Sequence, residues 1–205
     1  MKSLLLFFFF LWPLAALAKP CSARSFWKLS RPEKGWVVSH PFKAKRAYMA
    51  TMHARQITDS LFRLQIPDTF RHGGRIDAFR HSYWMAILTH CIGERASRKL
   101  GQCHENGNRI LYRRGRSEDG FLQDATACEM DLHNNEVGIQ LALHHTGSSR
   151  GAMASICLDA IQTGQMKILS INSVGEYCDC LGNPVVMMRR GMDKWKLPIC
   201  LIPSR

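Results

Sequence analysis

The stretch DAFRHSYWMAILTH, Asp77 to His90, constrains this chain more than any other. Its aromatic and aliphatic residues recur at helical spacing, so it reads as a helix made for burial. Yet Asp77 and His81 share a stripe with Trp84 and Leu88. A step of four residues advances about 6 Å along a helix axis, so Asp77 and His81 meet. A carboxylate beside an imidazole fixes its tautomer and raises its basicity. Such a pair suits a general base, a metal ligand or a structural core pair. Asp77 could also act only as the helix N-cap behind the Gly73-Gly74 turn.

The stretch MDLHNNEVG, Met130 to Gly138, repeats the pattern. Cys128, Asp131, Asn135, Gly138 and Ala142 share one stripe. Glycine inside a helix costs about 1 kcal/mol against alanine, so Gly138 predicts close approach of a neighbouring backbone. That turns the face with Asp131 and Asn135 inward. A buried Asp131 has to be hydrogen-bonded, paired or metal-bound. Asn134 and Asn135 donate and accept at once, which suits cross-links, while His133 points away towards solvent. His104 and Glu105, in CHENG, fall just beyond the first of these helices and could close over the same place.

The expected site is therefore Asp77, His81, Glu105, Asp131 and Asn135. Oxygen and nitrogen donors in this mixture suit a divalent metal such as zinc, manganese or iron. They also suit metal-free acid–base chemistry by carboxylates in different environments. No HExxH helix, GxSxG elbow, Gly-rich phosphate loop or dinucleotide fingerprint occurs.

The rest of the chain frames these helices. MKSLLLFFFFLWPLAALA reads as a signal peptide over residues 1–18, which makes the protein secreted or periplasmic. The apolar run is shorter than the ~20 residues of a membrane span, and no later segment spans after cleavage. Residues 19–40 read as irregular. Ala47, Ala50, Ala54, Ile57 and Leu61 predict a helix over 42–63, with Lys43, Lys45, Arg46 and Arg55 on a solvated side. A second helix is expected over 77–100, capped by Gly101, then a long charged loop to Gly120. Helices over 121–146 and 151–163 follow. MKILSI is a strand candidate with EYC as its partner, and NPVVMM is another. The fold class is mainly α: a small helical domain, 19–164, with a short disulfide-pinned β appendage, 165–205.

All eight cysteines follow the signal peptide, and in an oxidising compartment disulfides are the first expectation. Cys178 and Cys180 are too close to pair with each other. The net charge of +12 would draw the protein to anionic partners: phospholipid, peptidoglycan or nucleic acid. The run Arg113-Arg114-Gly115-Arg116 reads as a solvated loop.

Together, DAFRHSYW, HEN, MDLHNNEVG and GQMKIL resemble a family of bacterial domains of unknown function with AFRHxxW, His-Glu and MDxHNNxxG motifs. The resemblance covers about residues 70–170. It implies a mostly helical fold with a polar centre, and it brings no activity with it. Two readings follow from the residues. One is a hydrolase acting on an anionic or cell-wall substrate through the buried cluster. The other is a non-enzymatic binding or effector protein whose cluster is a structural network.

Overall fold

The computed structural model describes residues 23–116, 124–185 and 194–205. The expected signal peptide, Cys21, and residues 121–123 and 186–188 of two expected elements lie outside them. Seven helices appear among the described residues: α1 (Ala23–Lys28), α2 (Arg31–Ser39), α3 (Pro41–Arg63), α4 (Arg75–Ile92), α5 (Glu94–Arg113), α6 (Ala125–His144) and α7 (Arg150–Gln162). Two short strands, β1 (Lys167–Leu169) and β2 (Leu201–Pro203), close the chain. The mainly helical reading holds. No described helix is long and apolar enough to cross a membrane.

Helix α4 is the central rod, packed against α3, α5, α6 and α7. Phe79, Met85, Ala86 and Leu88 are fully buried, as its apolar spacing requires. Ala47, Ala50 and Ala54 form the small inward stripe of α3 and let the two helices approach. Gly138 performs the same task on α6 in its strictest form. A Cβ there would land on the Ser82 carbonyl of α4, so the two backbones touch.

Residues 19–40 are not irregular: α1 and α2 occupy most of that segment. The signal was Ser30-Arg31-Pro32-Glu33. The Ser30 hydroxyl accepts the Glu33 N–H at 3.4 Å, and the Glu33 carboxylate accepts the Ser30 N–H at 2.8 Å. This reciprocal capping box, with proline in the first turn, starts α2. Trp36 then anchors α2 on α5, its indole N–H donating to the Ala96 carbonyl at 3.1 Å.

The expected helix over 77–100 is two helices. Gly93, at φ +86°, ends α4 and begins α5. Gly101 is therefore interior to α5 and not a cap. A Cβ at Gly101 would come within 3.3 Å of Met85 and Asn135, so its bareness serves packing. The expected loop from 101 is helical as far as Arg113, because Leu100, Cys103 and Gly107 continue a buried stripe.

Within MKILSI, Lys167–Leu169 forms β1, and only the end of the segment, Ser170 and Ile171, meets EYC. β1 pairs antiparallel with β2, Ile168 opposite Ile202. Beyond β1, Ile171 bridges Tyr177 and the Ser170 carbonyl accepts the Cys178 N–H at 2.8 Å, while Cys178 bridges Pro184 in turn. A three-residue strand carries too little pattern to choose between distant partners. Cys180 and Cys200, 20 residues apart, form a disulfide that pins this β segment. The broader expectation of disulfides fails among the described residues. Cys91, Cys103, Cys128, Cys157 and Cys178 are free thiols. Cys103, Cys128, Cys157 and Cys178 are buried and act as small core residues.

Asn134 joins the β segment to the helices. Its side chain accepts the Lys167 N–H and donates to the Lys167 carbonyl, both at 2.9 Å. Leu169, Leu197 and Ile199 pack with Ala127 and Met130 of α6 in a second apolar cluster.

Candidate functional site

The site begins with the way α4 starts. The Asp68 carboxylate accepts the N–H groups of Arg75 and Ile76, at 2.6 and 3.3 Å, and so caps the helix from outside. Asp77 is thus not the N-cap. It lies in the first turn, and its Oδ2 accepts the Gly73 N–H at 2.7 Å. Gly73 in turn accepts the Leu169 N–H, so the first turn of α4 is tied to β1. The other oxygen, Oδ1, points along α4, 2.6 Å from Arg80 Nη2 and 3.7 Å from His81 Nε2.

Helix α6 supplies the opposite wall. Asp131 Oδ1 lies 3.3 Å from His81 Nε2. Asn135, one turn further, accepts the His81 Nδ1–H through Oδ1 at 3.3 Å. Asp77, His81 and Asp131 are 3%, 2% and 1% exposed, and one ligand atom from each falls within 4.8 Å of the others. The contact between Gly138 and Ser82 makes this convergence reachable, because it brings the two helices to backbone contact next to His81 and one turn from Asn135.

The electrostatics follow from the tautomer. With Nδ1–H donated to Asn135, the Nε2 of a neutral ring presents a lone pair. Two carboxylate oxygens face that same atom. Three acceptors in a desolvated place repel one another unless a positive particle lies between them. Arg80 Nη2 fills part of this need, since it is also 3.2 Å from His81 Nε2. Sequence reading missed Arg80, although the i,i+3 step from Asp77 was there to be read.

Glu105 is buried but does not join this triad. Consecutive helical residues point about 100° apart, and α5 sends His104 and Glu105 to different neighbours. Glu105 accepts from Asn108 at 3.2 Å and from the Cys128 thiol. Burial, and then the Glu105 and Asp131 carboxylates, push the Cys128 thiol far above its ordinary pKa. Its burial disfavours the thiolate at Cys128. The His104 ring lies 6.2 Å from His81 and 5.3 Å from Trp84, forming a partly exposed rim with Arg80. On the other side of Asn135, a half-open groove of about 220 Å³ runs between α5 and α6, lined by Met85, Arg98, Gln102 and Leu132. His133 is half-buried and hydrogen-bonds the Gln165 carbonyl at 3.1 Å, so it is less free than its spacing implied.

His104 is held by Glu33 of α2, Nδ1 to Oε1 at 3.1 Å. Burial pushes the Glu33 carboxyl up, but the contacts with His104 and Ser30 outweigh it and hold the group below 4.5. The folded state therefore binds this proton less readily than the unfolded chain. The stabilisation is complete above about pH 4.5 and is lost as pH falls through the lower, folded value. Glu33→Gln should lower the melting temperature near pH 6, and the gap to the wild type should narrow as pH falls below 4.5. Thermal melts across that range check it.

The helical fold and its two-helix polar centre define a class before any likeness is considered. The chain matches the model of a family described as a domain of unknown function (DUF6973) over residues 34–165, and it belongs to that family. The match starts well before the motifs that suggested the resemblance and takes in most of α2 and all of α3. No curated protein and no solved structure matches the chain.

Proposed function

We propose that the protein is a secreted or periplasmic hydrolase that holds a divalent cation between Asp77, His81 and Asp131 and cleaves a phosphoester. One observation carries this reading: two carboxylate oxygens and an imidazole nitrogen with its tautomer fixed meet within 4.8 Å. A hard or borderline divalent cation satisfies that donor set and balances its charge. Bound there, it would supply Lewis-acid polarisation and an acidified water. Asn135 orients His81. Arg80 is placed to take a phosphate oxygen, for which a guanidinium fork is well matched. His104, at the rim 6.2 Å from His81, is the group left for proton transfer. The basic surface favours an anionic substrate over a neutral one.

A second reading has its own observation. Arg80 is already 2.6 Å from Asp77 and neutralises part of the cluster, as a purely structural network would require. Turnover separates the two. The purified protein should hydrolyse a chromogenic phosphodiester with added manganese or zinc, lose that rate in chelator, and lose it in Asp131→Asn. Rates no higher than background in all three conditions would reject the hydrolase reading, and equal rates above background would reject the cation.

A further inference from the structure

We propose that the outer face of α1, α2 and the first half of α3 is a docking surface for an anionic lipid bilayer. Three large apolar side chains stand out from it: Trp27 at 71% exposure, Val38 at 71% and Phe42 at 95%. Val38 and Phe42 flank the corner at His40 where α2 passes into α3. None of the three is needed for the core. On these helices the core is served by Trp36, Ala47, Ala50 and Ala54 instead.

The cations are interleaved with the apolar groups. On α3, Phe42 shares one stripe with Lys45, Arg46 and Met49, at steps of three, four and seven. On α2, Arg31, Lys34 and Val38 fall on one stripe by the same spacing. Lys34 Nζ lies 5.6 Å from the centre of the Trp27 ring, which brings α1 onto that stripe. Between Ala23 and Thr58 the sole acidic residue is Glu33, and it is turned inward to Ser30 and His104. The platform is rigid: Trp36 is hydrogen-bonded to α5, and the Lys43 ammonium donates to the Ile92 carbonyl at 2.8 Å.

Exposed apolar residues scattered singly are ordinary. Aromatic and aliphatic groups interleaved with Lys and Arg, on helices whose one acid in this stretch is turned inward, match the interface of a membrane carrying anionic headgroups. Charge decides the occupant. A second copy would set Arg31, Lys45 and Arg46 against their own kind. A nucleic acid would meet the cations but offer no apolar layer for Phe42, Val38 and Met49. A bilayer satisfies both sets of groups.

Vesicle flotation in chelator tests this without the cation centre, so its outcome is independent of the hydrolase reading. The purified protein should float with vesicles of equimolar phosphatidylcholine and phosphatidylglycerol, and not with phosphatidylcholine alone. Phe42→Ala should weaken binding on the order of tenfold, the share expected for one buried phenylalanine. Lys45→Glu with Arg46→Glu should abolish it. These side chains are exposed, and unchanged circular dichroism of each variant confirms the fold. Wild-type binding by Phe42→Ala would reduce the contact to charge alone and overturn the proposal. So would failure of the wild type to float, or a dimer in sedimentation that Phe42→Ala dissolves.

Discussion

Replacing Gly138 with alanine should destabilise the protein by about 3 kcal/mol or more, although alanine is the better helix former. The added methyl meets the Ser82 carbonyl, and neither partner is the free end of a flexible side chain. Relief would require α4 and α6 to separate, and those helices carry both halves of the polar centre. Gly151→Ala is the control. Gly151 is also helical, but nothing lies within 4 Å of its missing Cβ. There the substitution should be neutral or stabilising, by at most about 1 kcal/mol. Urea unfolding of the two variants measures the contrast. Equal effects would mean that the α4–α6 contact is looser than described.

That glycine also shows how much could be read from the sequence. Its cost inside a helix signalled a backbone neighbour, and the inward stripe of Asp131 and Asn135 followed. Asp77 and His81 were legible for the same reason, as charged groups on an otherwise apolar face. Glu105 was legible as a chemical type but not as a neighbour, because a loop was expected where α5 continues. The error traces to Gly93, whose positive φ breaks the helix eight residues before the glycine expected to cap it. Arg80 was passed over because arginine next to a buried stripe ordinarily snorkels to solvent. Its guanidinium turns back to Asp77, and periodicity does not reveal a side chain's direction. The pairing of β1 with β2 was beyond reach, since both strands are three residues long and more than 30 residues apart.

Asp131→Asn should abolish cation binding while leaving the helices intact. The substitution keeps the side chain's shape but turns one acceptor oxygen into an amide N–H donor and removes one of two anionic donors around His81 Nε2. Loss of one ligand from three should weaken a divalent cation by at least about a hundredfold, since even outer-shell partners are worth ten- to a hundredfold. In a structural network the same change instead leaves His81 facing one carboxylate fewer. It would then appear as lost stability with no change in metal content.

The most direct measurement is calorimetric titration of zinc and of manganese into chelator-stripped protein, wild type and Asp131→Asn side by side. The account predicts one saturable site per chain in the wild type for at least one of the two ions, and none in the folded variant. A folded wild type that takes up neither ion, or a variant that binds as tightly as the wild type, would contradict it.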